Sequence, residues 1–130
     1  MRSFPRSRAM SETVREVIAH ILLEEIADPR VEFVTVTGVE TSPDLRYSTV
    51  FIAASEGRDS AQALEGLRAA TGRIRSLVGE RIRARYTPEL TFKVDPAIEE
   101  ATRIANAIRH ERESGRVSPQ TEEGTGDDGA

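Results

Sequence analysis

The sequence predicts an α+β domain, with helices packed on one face of a three-stranded sheet in the order α-β-β-α-(kink)-α-β plus a short C-terminal helix. Two periodicities and one set of punctuation marks carry this. Between Met10 and Ile26, Leu64 and Ile82, and Ile98 and Ile108, apolar residues recur every three or four positions, which gathers them on one face of a helix. Residues 31–39, 45–54 and 90–94 are β-branched or aromatic and partly alternating, the pattern of a strand. Asp28-Pro29, Thr41-Ser42-Pro43-Asp44, Thr87-Pro88 and Asp95-Pro96 fall at the joints.

Residues 1–8 read as a basic, irregular arm with Arg2, Arg6 and Arg8, because Pro5 opposes helix up to that point. The folded body then spans 9–110. Its first helix runs from about Ala9 to Ala27, with Met10, Val14, Val17, Ile18, Ile21, Leu22 and Ile26 in one wide stripe that must pack on a core. Asp28-Pro29 ends it, since the residue before proline disfavours the helical region. Val31–Val39 and Leu45–Ala54 form strands joined by a turn, and so short a connection makes them an antiparallel hairpin. Apolar residues on both sides of the second strand place it at the centre of the sheet or under a cover.

Ser60 is placed to cap the next helix. Its stripe is Leu64, Leu67, Thr71, Ile74, Val78 and Ile82, continuing toward Tyr86. Gly72 interrupts it at a cost of about 1 kcal/mol against alanine, so the helix kinks there or admits a second backbone. Leu90–Val94 is the third strand. Asp95 as cap and Pro96 at the first helical position start a short helix carrying Ile98, Ala101, Ile104, Ala105 and Ile108. From about Glu111 onward too little is apolar to offset ordering entropy, which predicts a disordered acidic tail over 111–130.

One hundred and thirty residues make one domain. The absence of cysteine excludes disulfides and thiolate metal sites and points to a reducing compartment. No apolar run approaches the ~20 residues that cross a bilayer, and no apolar segment follows the N-terminal charges, so a soluble cytoplasmic protein with no membrane partner is expected. The net charge of −4 argues against a nucleic-acid partner until it is located. Residues 1–112 carry 17 basic and 17 acidic side chains, and residues 113–130 supply the whole excess. Seventeen of the eighteen basic residues are arginine, which contacts phosphate with two parallel donors.

Arg68, Arg73, Arg75, Arg81, Arg83, Arg85 and Lys93 crowd the interrupted helix and the third strand, against Glu80 and Glu89. This is either a phosphate-binding surface or a solvated face that uses arginine. Arg6 and Arg8 extend the set. Arg30, after a helix stop, reads as solvated or as a loop cation on the RNA side. Alternation with other apolar residues puts Phe33, Tyr47, Phe51 and Phe92 in the core rather than on a stacking platform; Tyr86 is left open. His20 and His110 read as surface residues. There is no nucleophile elbow or Gly-rich phosphate loop, and the paired carboxylates are adjacent on helices and so do not face one another. No catalytic residue, metal or cofactor is expected: the chain is a binder, not an enzyme.

Five short segments share one register: Asp28-Pro29-Arg30 before Val34-Thr35-Val36-Thr37; Ser42-Pro43-Asp44-Leu45; Ala70-Thr71-Gly72 with Arg73-Ile74-Arg75; Pro88-Glu89-Leu90 with Phe92; and Asp95. With them, roughly residues 6–108 resemble the ribosome-binding factor A family of bacterial 30S maturation factors. The resemblance implies that 9–110 is a type II KH-like RNA-binding domain, in which Ala70, Thr71 and Gly72 form a structural kink in place of a Gly-x-x-Gly loop, the glycine letting two helices meet at an angle. It implies a monomer that binds the immature 30S subunit through precursor 16S rRNA and assists late maturation and 5′-end processing. Release aided by a ribosome-associated GTPase and a link to growth in the cold are also implied. Ala101 stands where the family commonly has glycine, and nothing carries over to 113–130. Arg6, Arg8, Arg30, Arg68, Arg73, Arg75, Arg81, Arg83, Arg85 and Lys93 are the candidate RNA contacts, reading shape more than sequence. Two other readings are a KH-like module for other RNAs, and a small protein-interaction or ferredoxin-like enzyme domain whose arginines only solubilise it.

Overall fold

The stripe that begins at Met10 belongs to a helix that starts before it, α1 (Pro5–Glu24), in a computed structural model that describes residues 5–55 and 57–113. Residues 5–8, expected to be irregular, are helical. Proline is well suited to the first helical position, where its missing N–H has no intrahelical acceptor to lose. Val14, Ile18, Ile21 and Leu22 are buried along α1 as the pattern requires. The helix ends at Glu24, ahead of the expected Ala27.

A 3₁₀ turn, Pro29–Val31, follows. Asp28 caps it, accepting from the Arg30 backbone N–H at 2.9 Å, and the Arg30 guanidinium closes on the same carboxylate at 2.8 Å. The side-chain hydrogen bonds from Arg30 are the chief reason that the Asp28 carboxyl lies below its ordinary value. A depressed carboxyl stabilises the fold above the unfolded-state pKa, near 4, and loses that contribution as pH falls through the lower folded value. We therefore expect Asp28→Asn to melt below wild type at neutral pH and the gap to close below about pH 4. Thermal unfolding across pH tests this; a gap independent of pH would mean that the charge on Asp28 contributes nothing.

The strands are β1 (Thr35–Thr41), β2 (Tyr47–Ala53) and β3 (Glu89–Val94), in the spatial order β1-β2-β3. The second strand is central, the first of the two arrangements that its apolar faces allowed. β1 and β2 pair antiparallel with an irregularity between Val36 and Gly38, and β2 and β3 pair parallel with Val50 opposite Phe92. Ser48, Val50, Ile52, Leu90 and Phe92 point into the core with Val36. Tyr47, Thr49 and Phe51, with Glu89, Thr91 and Lys93 beside them, take the other face.

The helices α2 (Ser60–Ala69) and α3 (Thr71–Arg81) connect β2 to β3. Asp59, not Ser60, caps α2, accepting from the Ala61 N–H at 2.8 Å. Gly66 lets α2 lie against the 3₁₀ turn: a Cβ there would stand 3.0 Å from both the Arg30 Cβ and the Val31 Cγ1. Ala63, Leu67, Ile74 and Val78 complete one core with α1 and the sheet. This is the α+β, KH-like arrangement.

The chain divides into two compact units after Asp95. The second holds α4 (Pro96–Glu113), whose described residues include none that is buried. It is longer than the short helix expected and takes in 111–113, which were assigned to the tail. Pairs three residues apart, Glu100 with Arg103 and Asn106 with Arg109, support it locally. The expected arm residues 1–4 and the rest of the acidic tail, 114–130, lie outside the described residues.

Candidate nucleic-acid interface

The break between α2 and α3 is a single residue. Ala70 has φ −96° and ψ 4°, and its N–H is shared between the Gly66 and Leu67 carbonyls at 3.1 and 3.2 Å. The Thr71 hydroxyl donates to the Leu67 carbonyl at 2.9 Å, and the Ile74 N–H to the Ala70 carbonyl restarts the ladder. The change of direction is therefore made at Ala70. Gly72 has no positive φ, and a Cβ on it would meet nothing within 4 Å. The expectation that this glycine lets the two helices meet is corrected: it leaves bare, exposed backbone in the first turn of α3.

That difference is measurable. Gly72→Ala is expected to raise stability by roughly 0.4–1 kcal/mol by restricting the unfolded chain. On the RNA-binding reading proposed below it is also expected to weaken RNA binding, because the added methyl would stand between this exposed backbone and a phosphate. Paired melting and RNA-binding measurements test both halves; unimpaired binding would leave the glycine with no role in contact.

The expected arginines do not form one surface. α3 ends at Arg81, because Ile82 is extended (φ −99°, ψ 128°) and turns into the core's margin. Arg83 and Arg85, read as helical, lie in the loop 82–88. Arg68 and Arg73 flank the break at the other end of α3, about 16 Å away at helical rise. Arg6 and Arg8 are exposed on the first turns of α1, and Lys93 lies on the sheet face away from the helices.

Their partners differ too. Arg30 is bound to Asp28, with Glu65 at 3.7 Å. Arg73 and Arg81 converge on Glu25 at 3.8 and 3.1 Å. Exposed pairs of this kind are worth about 0–1 kcal/mol, so they reduce local charge more than they stabilise. Arg75 is structural: its Nε donates to the Pro88 carbonyl at 3.0 Å and its Nη2 to the Thr87 carbonyl at 2.8 Å, fixing the end of the loop. Among the described residues no carboxylate stands within 4 Å of the cationic groups of Arg6, Arg68, Arg83, Arg85 or Lys93, and the charge of Arg46 acts on the Asp44 carboxyl.

Around the loop 82–88, Arg6, Arg46, Arg83 and Arg85 line clefts with aromatic rings. A cleft of about 390 Å³ is lined by Arg6, Asp44, Leu45, Arg83, Arg85 and Tyr86, among others. A second of about 270 Å³ shares Tyr86 and adds Arg46, Tyr47, Arg75, Thr87 and Glu89. The Arg85 guanidinium stands 5.5 Å from the Tyr86 ring centre, within cation–π range. The Asp44 carboxyl at the rim is held below its ordinary value, chiefly by the Ser42 hydroxyl.

Of the four aromatics assigned to the core, Phe92 alone is there. Tyr47 is 59% exposed and Phe33 67%, and Phe51 is half-buried on the outer sheet face. Alternation in β2 puts Tyr47 and Phe51 opposite Ser48, Val50 and Ile52, and only the latter face the helices. Phe33 sits before β1 at φ 62°, under the Arg58 guanidinium at 5.0 Å. Arg46, Arg58 and the open side of Tyr47 were missed. The two-residue period of 45–54 held the signal for Tyr47; for Arg46 and Arg58 the chain offers none. Among the described residues no three His, Asp or Glu side chains gather as a metal site, and no helix is long and apolar enough to cross a membrane.

Comparison with known proteins bears on the family and the fold. A ribosome-binding factor A from Halothermothrix orenii is 40% identical over 115 residues, covering 85% of this chain and 94% of its own length. One from Thermomicrobium roseum is 41% identical over 105 residues, covering 80% and 81%. The crystal structure of a ribosome-binding factor A from Thermus thermophilus superposes with a TM-score of 0.63 at 26% identity, over 68% of this chain and 93% of that one. A Thermus thermophilus ribosome-binding factor A, fitted as a homology model into the cryo-EM map of a 30S complex, superposes at 0.57 with 28% identity, over 66% and 91%. The family model for ribosome-binding factor A matches residues 6–108, and with relatives this similar over most of its length the chain belongs to the ribosome-binding factor A family.

Proposed function

We propose that this chain is a ribosome assembly factor that binds the immature 30S subunit through 16S rRNA, assists late maturation and 5′-end processing, and then dissociates. Family membership and the 30S complex of the Thermus relative support the partner. The observation that carries the reading is the set of cations with no carboxylate partner among the described residues, at the α2–α3 break and around the loop 82–88. The mechanism is binding rather than chemistry. Arginines that contact phosphates position the protein on a folded RNA without reading sequence. Docking free energy then biases a two-state rRNA element toward the arrangement that fits the protein. A protein acting as a monomer in the cytoplasm, with release aided by a ribosome-associated GTPase, completes the proposal.

Sedimentation of the tagged protein through a sucrose gradient at low and high salt tests it. Residence on free 30S particles, absence from 70S and release by salt are expected. Recovery only at the top of the gradient at both salts would reject the assembly role.

A further inference from the structure

We propose that the paired clefts around Tyr86 form a pocket for one unpaired nucleotide of single-stranded RNA, its base packed against both Tyr47 and Tyr86 and its phosphates held by Arg83 and Arg85. This rests on the RNA-binding reading above and assigns a ligand class to one part of the surface. Tyr47 and Tyr86 are 59% and 60% exposed, large rings turned to solvent, as Leu23 and Phe33 are elsewhere on the same unit. They come from distant parts of the chain, the start of β2 and the loop before β3, and line the same cleft. An exposed aromatic with arginine beside it is the common platform for an unstacked base, because every base has a π face.

The walls are built in advance. Arg75 fixes Thr87 and Pro88. The Glu89 N–H donates to the Arg46 carbonyl at 2.8 Å, joining β3 to the hairpin turn. Within that turn the Tyr47 N–H donates to the Ser42 hydroxyl at 3.1 Å, and Leu45 is held at φ 63°. A ligand entering such a site orders little more of the protein. Two carboxylates lie at the rim. Asp44 is occupied by the Ser42 hydroxyl and the Arg46 N–H. Glu89 is an acceptor, suited to the N–H edge of a base and unsuited to phosphate. Phosphate therefore belongs on the side of Arg83 and Arg85. A base stacked within a duplex has no free face to offer, so the pocket selects single strands, loops or ends.

The composition supplies the probe. Tyr47 and Tyr86 are the chain's two tyrosines and it has no tryptophan, so intrinsic emission reports on this pocket alone. The full-length protein is titrated with a fluorescein-labelled single-stranded oligoribonucleotide and with an RNA duplex of equal length. Label anisotropy reports binding; tyrosine emission, read with the unlabelled RNAs, reports the pocket. The single strand is expected to quench tyrosine emission. Tyr47→Ala and Tyr86→Ala should each weaken single-strand binding by about ten-fold and leave duplex binding within about two-fold, while the phenylalanine variants, which keep the ring, bind like wild type. Binding seen by anisotropy with unchanged tyrosine emission, or alanine variants that bind single strands like wild type, would overturn the pocket and leave the assembly role standing. No binding of either RNA at low salt would overturn both.

Discussion

Replacing Arg6, Arg83 and Arg85 together by glutamine is expected to lower RNA affinity by at least about ten-fold and to flatten the logarithmic salt dependence by roughly two to three units. Each cation that meets a phosphate releases counterions, so losing it shows in the slope as well as in the affinity. These three are chosen because no carboxylate among the described residues pairs with them and because they line one cleft. Arg73→Gln is the internal comparison. Its guanidinium shares Glu25 with Arg81, so its removal returns part of that carboxylate's charge to Arg81, and a smaller change follows. Binding isotherms over a salt series decide the matter. A triple variant with the wild-type slope would mean that this end of the molecule does not face phosphate.

Phe92→Ala is expected to cost about 3–5 kcal/mol, against a typical total stability of roughly 5–15 kcal/mol. Phe92 is 1% exposed and is the largest fully buried side chain of the described residues. Its removal forfeits the transfer energy of the ring and leaves a cavity that a close-packed core fills poorly. Phe51→Ala, on the adjacent strand but on the outer face, should cost far less, about 1 kcal/mol, in proportion to its partial burial. Urea unfolding of both variants tests the assignment of faces. Equal losses would mean that the outer face of the sheet is covered in solution.

The contrast between these two phenylalanines shows where the sequence was legible. Val14, Ile18, Leu67, Ile74 and Val78 announced their burial through a period that any helix packed on a core must show. The three strands followed from β-branched runs and proline-marked joints; the parallel place of β3 beside β2 did not. The aromatics of β2 misled because composition does not say which face of a sheet the helices will cover. The end of α3 misled for a related reason. Ile82 continues the helical stripe perfectly well, and it takes Arg75 reaching across to Pro88 and Thr87 to hold the following residues in a loop. Arg75 itself belonged, by composition, with the candidate RNA contacts; only the fold shows its guanidinium committed to backbone carbonyls. Local chemistry sets a residue's preference, and long-range contacts set its role.

The parallel pairing of β2 with β3 has a consequence for timing. Antiparallel β1 and β2 can zip from their own turn, whereas β3 reaches β2 only after the whole of 54–88 has been threaded back as a crossover. Contacts so distant in sequence come late, since closure entropy must be met before pairing rewards it. Arg46 and Tyr47 lie on one side of that closure, and Tyr86, Thr87 and Glu89 on the other. The geometry thus ties the cleft, and any partner that needs it, to the last step of folding.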